Sequence, residues 1–175
     1  MRKIHNLYFV TLLFVFAATP FVRAQAPKAL VYGNFTIASP QGGDFTKNFG
    51  SGSGLEIGGG IGIGNTMLIG SAGYINYLAT TNNTTFGDFN VIPIKLGLRR
   101  YLVGKLFVNG QIGTAIESYS KNSTTGSKFL YEIGVGVKII HLLEVCVAYT
   151  GYQSAAIPNI NYNSLLFKVG FSVKL

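Results

Sequence analysis

From residue 29 onward the chain repeatedly alternates apolar with small or polar residues, the period-two pattern of strands with two unlike faces. In residues 129–139 one face carries Phe129, Tyr131, Ile133, Val135, Val137 and Ile139, and the other Leu130, Glu132, Gly134, Gly136 and Lys138. Residues 165–175 repeat the scheme, with Leu165, Phe167, Val169, Phe171, Val173 and Leu175 opposite Leu166, Lys168, Gly170, Ser172 and Lys174. In residues 54–63, Leu55, Ile57, Ile61 and Ile63 oppose Glu56, Gly58, Gly60 and Gly62, and further on Ile92, Ile94, Leu96 and Leu98 oppose Pro93, Lys95, Gly97 and Arg99. Four more strands are expected near residues 29–38, 67–78, 105–117 and 143–153. Residues 67–78 mix apolar and small residues on both faces, so the pattern assigns no facing there.

The connections alternate in length. Long polar segments at 39–53, 79–88, 118–128 and 154–163 alternate with tight links at Gly64-Asn65, Val103-Gly104 and 140–142. Short turns on the periplasmic side and long loops outside are the arrangement of outer-membrane barrels, and an even strand count returns both termini to the periplasm. The fold expected is all-β: an eight-stranded antiparallel up-and-down transmembrane β-barrel. Closure follows from the solvent, because each unpaired backbone group at a sheet edge in hydrocarbon costs several kcal/mol. Eight strands enclose an interior just wide enough for side chains, which suits the glycines on the inward face. Pro93 lacks the N–H that a central strand needs, so a bulge or a missing ladder bond is expected there, near the outer rim.

The front of the chain reads as an address. Met1, Arg2 and Lys3 form a basic start, residues 7–18 an apolar run, and Val22-Arg23-Ala24 a small-residue cleavage site, together a secretory signal peptide cut after Ala24. The apolar run of about 12 residues is short of the roughly 20 that span a bilayer as a helix. Residues 25–175 then form one barrel domain. Charged residues make up only 11% of the chain, with 23 glycines and a mean hydropathy of +0.36, a composition better suited to a lipid-facing surface than to a wet one. Removing Arg2, Lys3 and Arg23 from the 14 basic residues leaves 11 against 6 acidic ones, an excess of five. No basic cluster interleaved with aromatics points to nucleic acid. Cys146 is the only cysteine, so no intrachain disulfide forms, and it reads as a small apolar filler.

Running the strands alternately up and down places Glu56, Lys95, Glu132 and Lys168 on the even strands, all pointing inward, with Arg99 on the same face as Lys95. Lys138, Glu144 and Lys174 fall near the periplasmic end of the last three strands. Buried charges need partners, so these residues are expected to form an ionic network that plugs the lumen; the alternative is an ion-selective passage gated by exchange of pairs. Tyr32, Tyr74, Tyr77, Tyr101, Tyr131, Tyr149, Phe129 and Phe167 lie near strand ends, where they are expected to form interfacial girdles.

The stretch Val91-Ile92-Pro93-Ile94-Lys95-Leu96-Gly97-Leu98-Arg99 and the alternating end Val169-Gly170-Phe171-Ser172-Val173-Lys174-Leu175 resemble the small eight-stranded outer-membrane β-barrel family of Gram-negative bacteria, the OmpX-like or outer membrane protein beta-barrel domain group. Members often end on an aromatic residue, whereas this chain ends on Leu175 with Phe171 four residues earlier. The resemblance implies insertion in outer-membrane lipid, biogenesis through periplasmic chaperones and the barrel-assembly machinery, and a non-enzymatic role in envelope integrity or in contact with an extracellular partner through four loops. A narrow porin-like pore is the competing function. The lipid A deacylase pattern found in some such barrels needs a His, a Ser two residues on and a Glu towards the outer leaflet; here His141 lies in an expected periplasmic turn and position 143 is Leu. No spacing suggests a catalytic, cofactor or metal site. A soluble lipocalin-like carrier would share the strand count but present the Gly-rich face to water, a poor solvent surface.

Overall fold

The computed structural model describes residues 26–81, 87–121, 125–153 and 161–175; residues 1–25, where the signal peptide is expected, and parts of three long connections lie outside these residues. The elements in chain order are β1 (Lys28–Gln41), α1 (Gly43–Asn48), β2 (Phe49–Ile63), β3 (Thr66–Ala79), β4 (Phe89–Tyr101), β5 (Leu106–Tyr119), β6 (Thr125–Lys138), β7 (Leu143–Gln153) and β8 (Asn161–Lys174). Each strand pairs antiparallel with its neighbours in sequence, and β1 pairs with β8 from Leu30–Lys174 to Gln41–Asn163, which closes the barrel. Reciprocal backbone bonds between Ala29 and Leu175, at 3.0 and 2.9 Å, extend that seam to the end of the chain.

Strands begin or end further into the long connections than the alternation indicates: β1 runs to Gln41, β2 starts at Phe49, β6 at Thr125 and β8 at Asn161. The reason is solvent. A membrane strand needs only about 9–11 residues to span, and beyond the hydrocarbon both faces are wet, so Ser, Thr, Asn and Gly continue the ladder without continuing the pattern. At the opposite end the turns are tight, and Gly64 (φ 64°) and Gly104 (φ 66°) supply the left-handed backbone that such turns require.

The outward face is apolar all round, with Ile57, Leu68, Leu96, Ile112, Ile133 and Phe167 among its exposed residues. The facing of β3, left open by its sequence, is set by the register: Met67, Ile69, Ser71, Ile75 and Tyr77 point inward, and Leu68, Tyr74 and Leu78 outward. The girdle expectation needs correction at three positions. Tyr32, Tyr77 and Tyr101 are buried in the lumen, whereas Tyr74, Tyr131, Tyr149, Phe129 and Phe167 are exposed on the outer wall. Parity explains two of the three, since Tyr32 alternates with outward Val31 and Tyr101 shares the inward face with Arg99.

Pro93 interrupts one ladder. The β3–β4 pairing is recorded from Thr66–Arg100 to Ala72–Ile94 and resumes at Ile75–Val91 in the same register, so the gap is a missing pairing and not a bulge. On its other side Pro93 still lies opposite Ala115 of β5.

Inward glycines make room for large neighbours. A Cβ on Gly58 would stand 2.3 Å from the Tyr32 ring, and one on Gly136 would stand 2.3 Å from the Phe107 ring. Gly110, on the outer wall, would meet nothing within 4 Å. Gly58→Val and Gly136→Val are therefore expected to lower barrel stability by about 1–3 kcal/mol through overpacking, while Gly110→Ala leaves it within about 0.5 kcal/mol. Urea unfolding in detergent, followed by loss of heat-modifiable gel migration, measures both.

Candidate functional site: the barrel lumen

Along β4 the inward residues read, from the turn end to the loop end, Tyr101, Arg99, Gly97, Lys95, Pro93, Val91 and Phe89, and they sample the layers that fill the lumen. The central layer is ionic. Lys95 Nζ donates to Glu56 Oε2 and to Glu132 Oε2, each at 2.5 Å. Lys168 Nζ donates to the same two side chains, at 3.0 Å to Glu56 Oε2 and 2.6 Å to Glu132 Oε1. Each of β2, β4, β6 and β8 contributes one residue, so cations and anions alternate around a closed square of no net charge. All four side chains are at most 7% exposed, and in that setting each ammonium reaching two carboxylates offsets the desolvation that a single contact would leave uncovered.

Towards the turn end lies a second ionic contact. Arg99 Nη1 sits 3.2 and 3.1 Å from the two carboxylate oxygens of Glu144. Its guanidinium carbon lies 4.7 Å from the centre of the Tyr32 ring and 4.4 Å from that of Phe107, a geometry in which the ring faces attract the cation. A neutral layer with Gln111 donating to Ser71 Oγ at 3.2 Å, and with buried Asn109 and Cys146 side by side, also belongs to the interior.

Two of the residues expected in the network stand apart from it. Lys138 is the backbone neighbour of Glu144 across the β6–β7 ladder, yet its Nζ donates to the Ser172 carbonyl at 3.0 Å. Lys174 is exposed, with its Nζ 3.2 Å from the centre of the Tyr101 ring. Both sit at the last residue of a strand, where water reaches an ammonium; Arg99 lies deeper, and Glu144 turns to it instead. Among the described residues no ion pair joins either lysine to Glu144.

The loop end holds what the sequence did not announce. The connection after β1 forms the single-turn helix α1 and turns Phe45 inward, where it stacks on Tyr162 at 4.5 Å between ring centres and meets Tyr77 at 5.1 Å. Phe89 lies 5.1 Å from Tyr119, 5.2 Å from Tyr162 and 5.3 Å from Phe49. Tyr77 and Ser164 hydroxyls are 2.9 Å apart, and those of Tyr119 and Tyr162 3.2 Å. Phe45 and Phe49 sit in a Gly- and polar-rich stretch without periodicity; the only cue to them is two aromatics spaced four apart in an otherwise polar connection. His141 is exposed in the β6–β7 turn, with Leu143 two residues on.

Removing Lys168 leaves Glu56 and Glu132 with one cation between them. Lys168→Met is expected to destabilise the folded barrel by about 3–5 kcal/mol, the usual consequence of breaking a buried charge set. Adding Glu56→Gln restores neutrality around Lys95–Glu132 and recovers at least about 1 kcal/mol of that loss, a coupling that a double-mutant cycle in urea reads directly.

The sequence model of the family described as "Outer membrane protein beta-barrel domain" matches residues 9–174. Among curated proteins none matches the sequence. Solved structures share the fold. They include Ail, the attachment invasion locus protein of Yersinia pestis, solved with the heparin analogue sucrose octasulfate (12% identity, TM-score 0.54, covering 85% of this chain and 99% of that one). OprG from Pseudomonas aeruginosa aligns with 12% identity and TM-score 0.55 over 86% and 97% of the two chains. The N-terminal barrel domain of OprF from the same organism does so with 12% identity and TM-score 0.57 over 82% and 96%. With the closed eight-stranded wall, its apolar exterior and a family match over nearly the whole sequence, the chain belongs to the outer membrane protein beta-barrel domain family and is an outer-membrane β-barrel protein.

Proposed function

We propose that this protein is a non-enzymatic, non-conducting barrel of the cell envelope, whose lumen is plugged and whose four loop-end connections carry its contacts with an extracellular partner or its part in envelope integrity. The observation that carries this reading is the stacking of two dissimilar layers in one narrow interior: the neutral square of Glu56, Lys95, Glu132 and Lys168, and towards the loop end the rings of Phe45, Phe49, Tyr77, Phe89, Tyr119 and Tyr162. An ion crossing the first layer would have to displace paired charges, and one crossing the second would have to shed its water among aromatic rings. Residues 39–41, 80–81, 120–121 and 161, which flank the long connections, are polar or small, as suits a wet surface that carries recognition.

The same reading includes export with cleavage after Ala24, passage through periplasmic chaperones and the barrel-assembly machinery, and residence in outer-membrane lipid. It includes no catalysis: His141 lies in a turn at the end away from the loops, with no serine two residues on.

The protein refolded in detergent is expected to show heat-modifiable migration on SDS gels and then to give no discrete current steps in a planar bilayer. Stable unitary steps would replace the plugged reading with the narrow pore, and a protein soluble without detergent would remove the membrane reading altogether.

A further inference from the structure

The net charge of the chain beyond the leader is not spread over the barrel. In the interior, Lys95 and Lys168 balance Glu56 and Glu132, and Arg99 balances Glu144. At the loop end Lys47, Lys121 and Lys128 stand against Asp44, Asp88 and Glu117, each set lying on α1, in the long connections or on the strand ends beside them. Those assignments use all six acidic residues. What is left is Lys28, Arg100, Lys105, Lys138 and Lys174, every one at the turn end, so the whole side-chain excess of five positive charges sits on one rim, where the nearby Glu144 is already paired with Arg99.

A second feature coincides with the first. The turns and the chain end at this rim expose apolar side chains: Leu102, Val103, Ile139, Ile140, Leu142 and Leu175, with Val103 90% exposed. Lys105, Lys138, Lys174 and His141 line one depression of about 430 Å³ together with Ile140, Leu142 and Val173. Lys105 Nζ uses one donor on the Ile139 carbonyl at 2.8 Å and Lys138 Nζ one on the Ser172 carbonyl at 3.0 Å. An ammonium has three donors, so these backbone contacts hold the two lysines in place while leaving N–H bonds to offer to a ligand. Cations interleaved with exposed apolar residues, at the depth where a bilayer changes from acyl chain to headgroup, are the chemistry of a surface that meets anionic lipid.

We propose that the turn end of this barrel is a binding surface for anionic phospholipids of the periplasmic leaflet, with a headgroup phosphate seated among Lys105, Lys138, Lys174 and His141 and the acyl chains beginning over Leu142 and Val173. The inference rests on the membrane reading of the fold and on short turns facing the periplasm.

Native mass spectrometry of the protein released from neutral detergent, supplied with equal amounts of phosphatidylglycerol and phosphatidylcholine of the same acyl chains, reads the headgroup preference alone. The intact protein is expected to retain phosphatidylglycerol about tenfold over phosphatidylcholine, and Lys105→Gln/Lys138→Gln/Lys174→Gln to bring the ratio to about one. The matched triple at the other end, Lys47→Gln/Lys121→Gln/Lys128→Gln, keeps the preference. Should the rim triple fail to fold, Lys105→Gln and Lys174→Gln alone are each expected to lower the ratio about two- to threefold. No preference in the intact protein, an undiminished one in the rim variants, or equal loss in the loop-end triple overturns the proposal. Displacement of the lipid by glycerophosphoglycerol or inorganic phosphate at the lipid's own concentration also overturns it, since the site would then be one for a free anion. Heat-modifiable migration of each sample separates the two levels: a folded barrel without preference sinks the lipid surface only, and a chain that does not fold in detergent sinks the membrane reading beneath it.

Discussion

Lys95 and Lys168 can be charged inside this barrel only because Glu56 and Glu132 are there, and the converse holds equally. The four come from strands that are never direct neighbours, so the square exists only if β2, β4, β6 and β8 stand at one height with one facing. A one-residue slip of any of these strands would send its charge to the lipid face. Register, closure and interior neutrality are thus one constraint, and the glycines and rings around the square are arranged within the space it leaves.

From the middle outwards the interior changes its means of filling. Near the turn end a guanidinium lies against the rings of Tyr32 and Phe107 and a carboxylate; at the loop end the rings pack on one another. Aromatic packing needs no partner of opposite charge, so it suits the end where the wall gives way to loops, and the helix α1 brings Phe45 from the connection itself. The wall shows a parallel economy: apolar side chains cover the hydrocarbon belt, and the strands continue beyond it with residues that water accepts.

Strand number, order and facing are legible in the sequence wherever the lipid face is uninterrupted, as in β6 and β8, because lipid tolerates only apolar side chains and so prints its own period on the chain. β3 defeats the same reading: its inward face carries Met67, Ile69, Ile75 and Tyr77 and is as apolar as its outer one, and only pairing with β2 and β4 distinguishes them. The central charges share parity with inward glycines and are visible for that reason. The partners of Lys138 and Lys174 are not, since parity places a residue on a face but does not say whether water reaches its tip. Phe45 escapes because a single helical turn has no period to detect, and Phe49 because the β2–β3 register shifts between it and Gly52, which puts it out of step with inward Glu56. Family membership rests on the match over residues 9–174, while the three compared structures, all 12% identical, speak to shape alone.

The contact between Lys168 and Glu56 joins residues 112 positions apart, and that distance has a consequence for the order in which the barrel can be made. A sheet grown through β7 holds, of the square, two carboxylates and one ammonium on its concave side, together with a seam of unpaired backbone along β1. Adding β8 supplies the missing cation and the missing hydrogen-bond partners in the same movement. Before that step both electrostatics and backbone penalise burial in lipid; after it neither does. Closure by the last strand thus satisfies the charges and the backbone together, and a barrel without it would be left electrically as well as mechanically open.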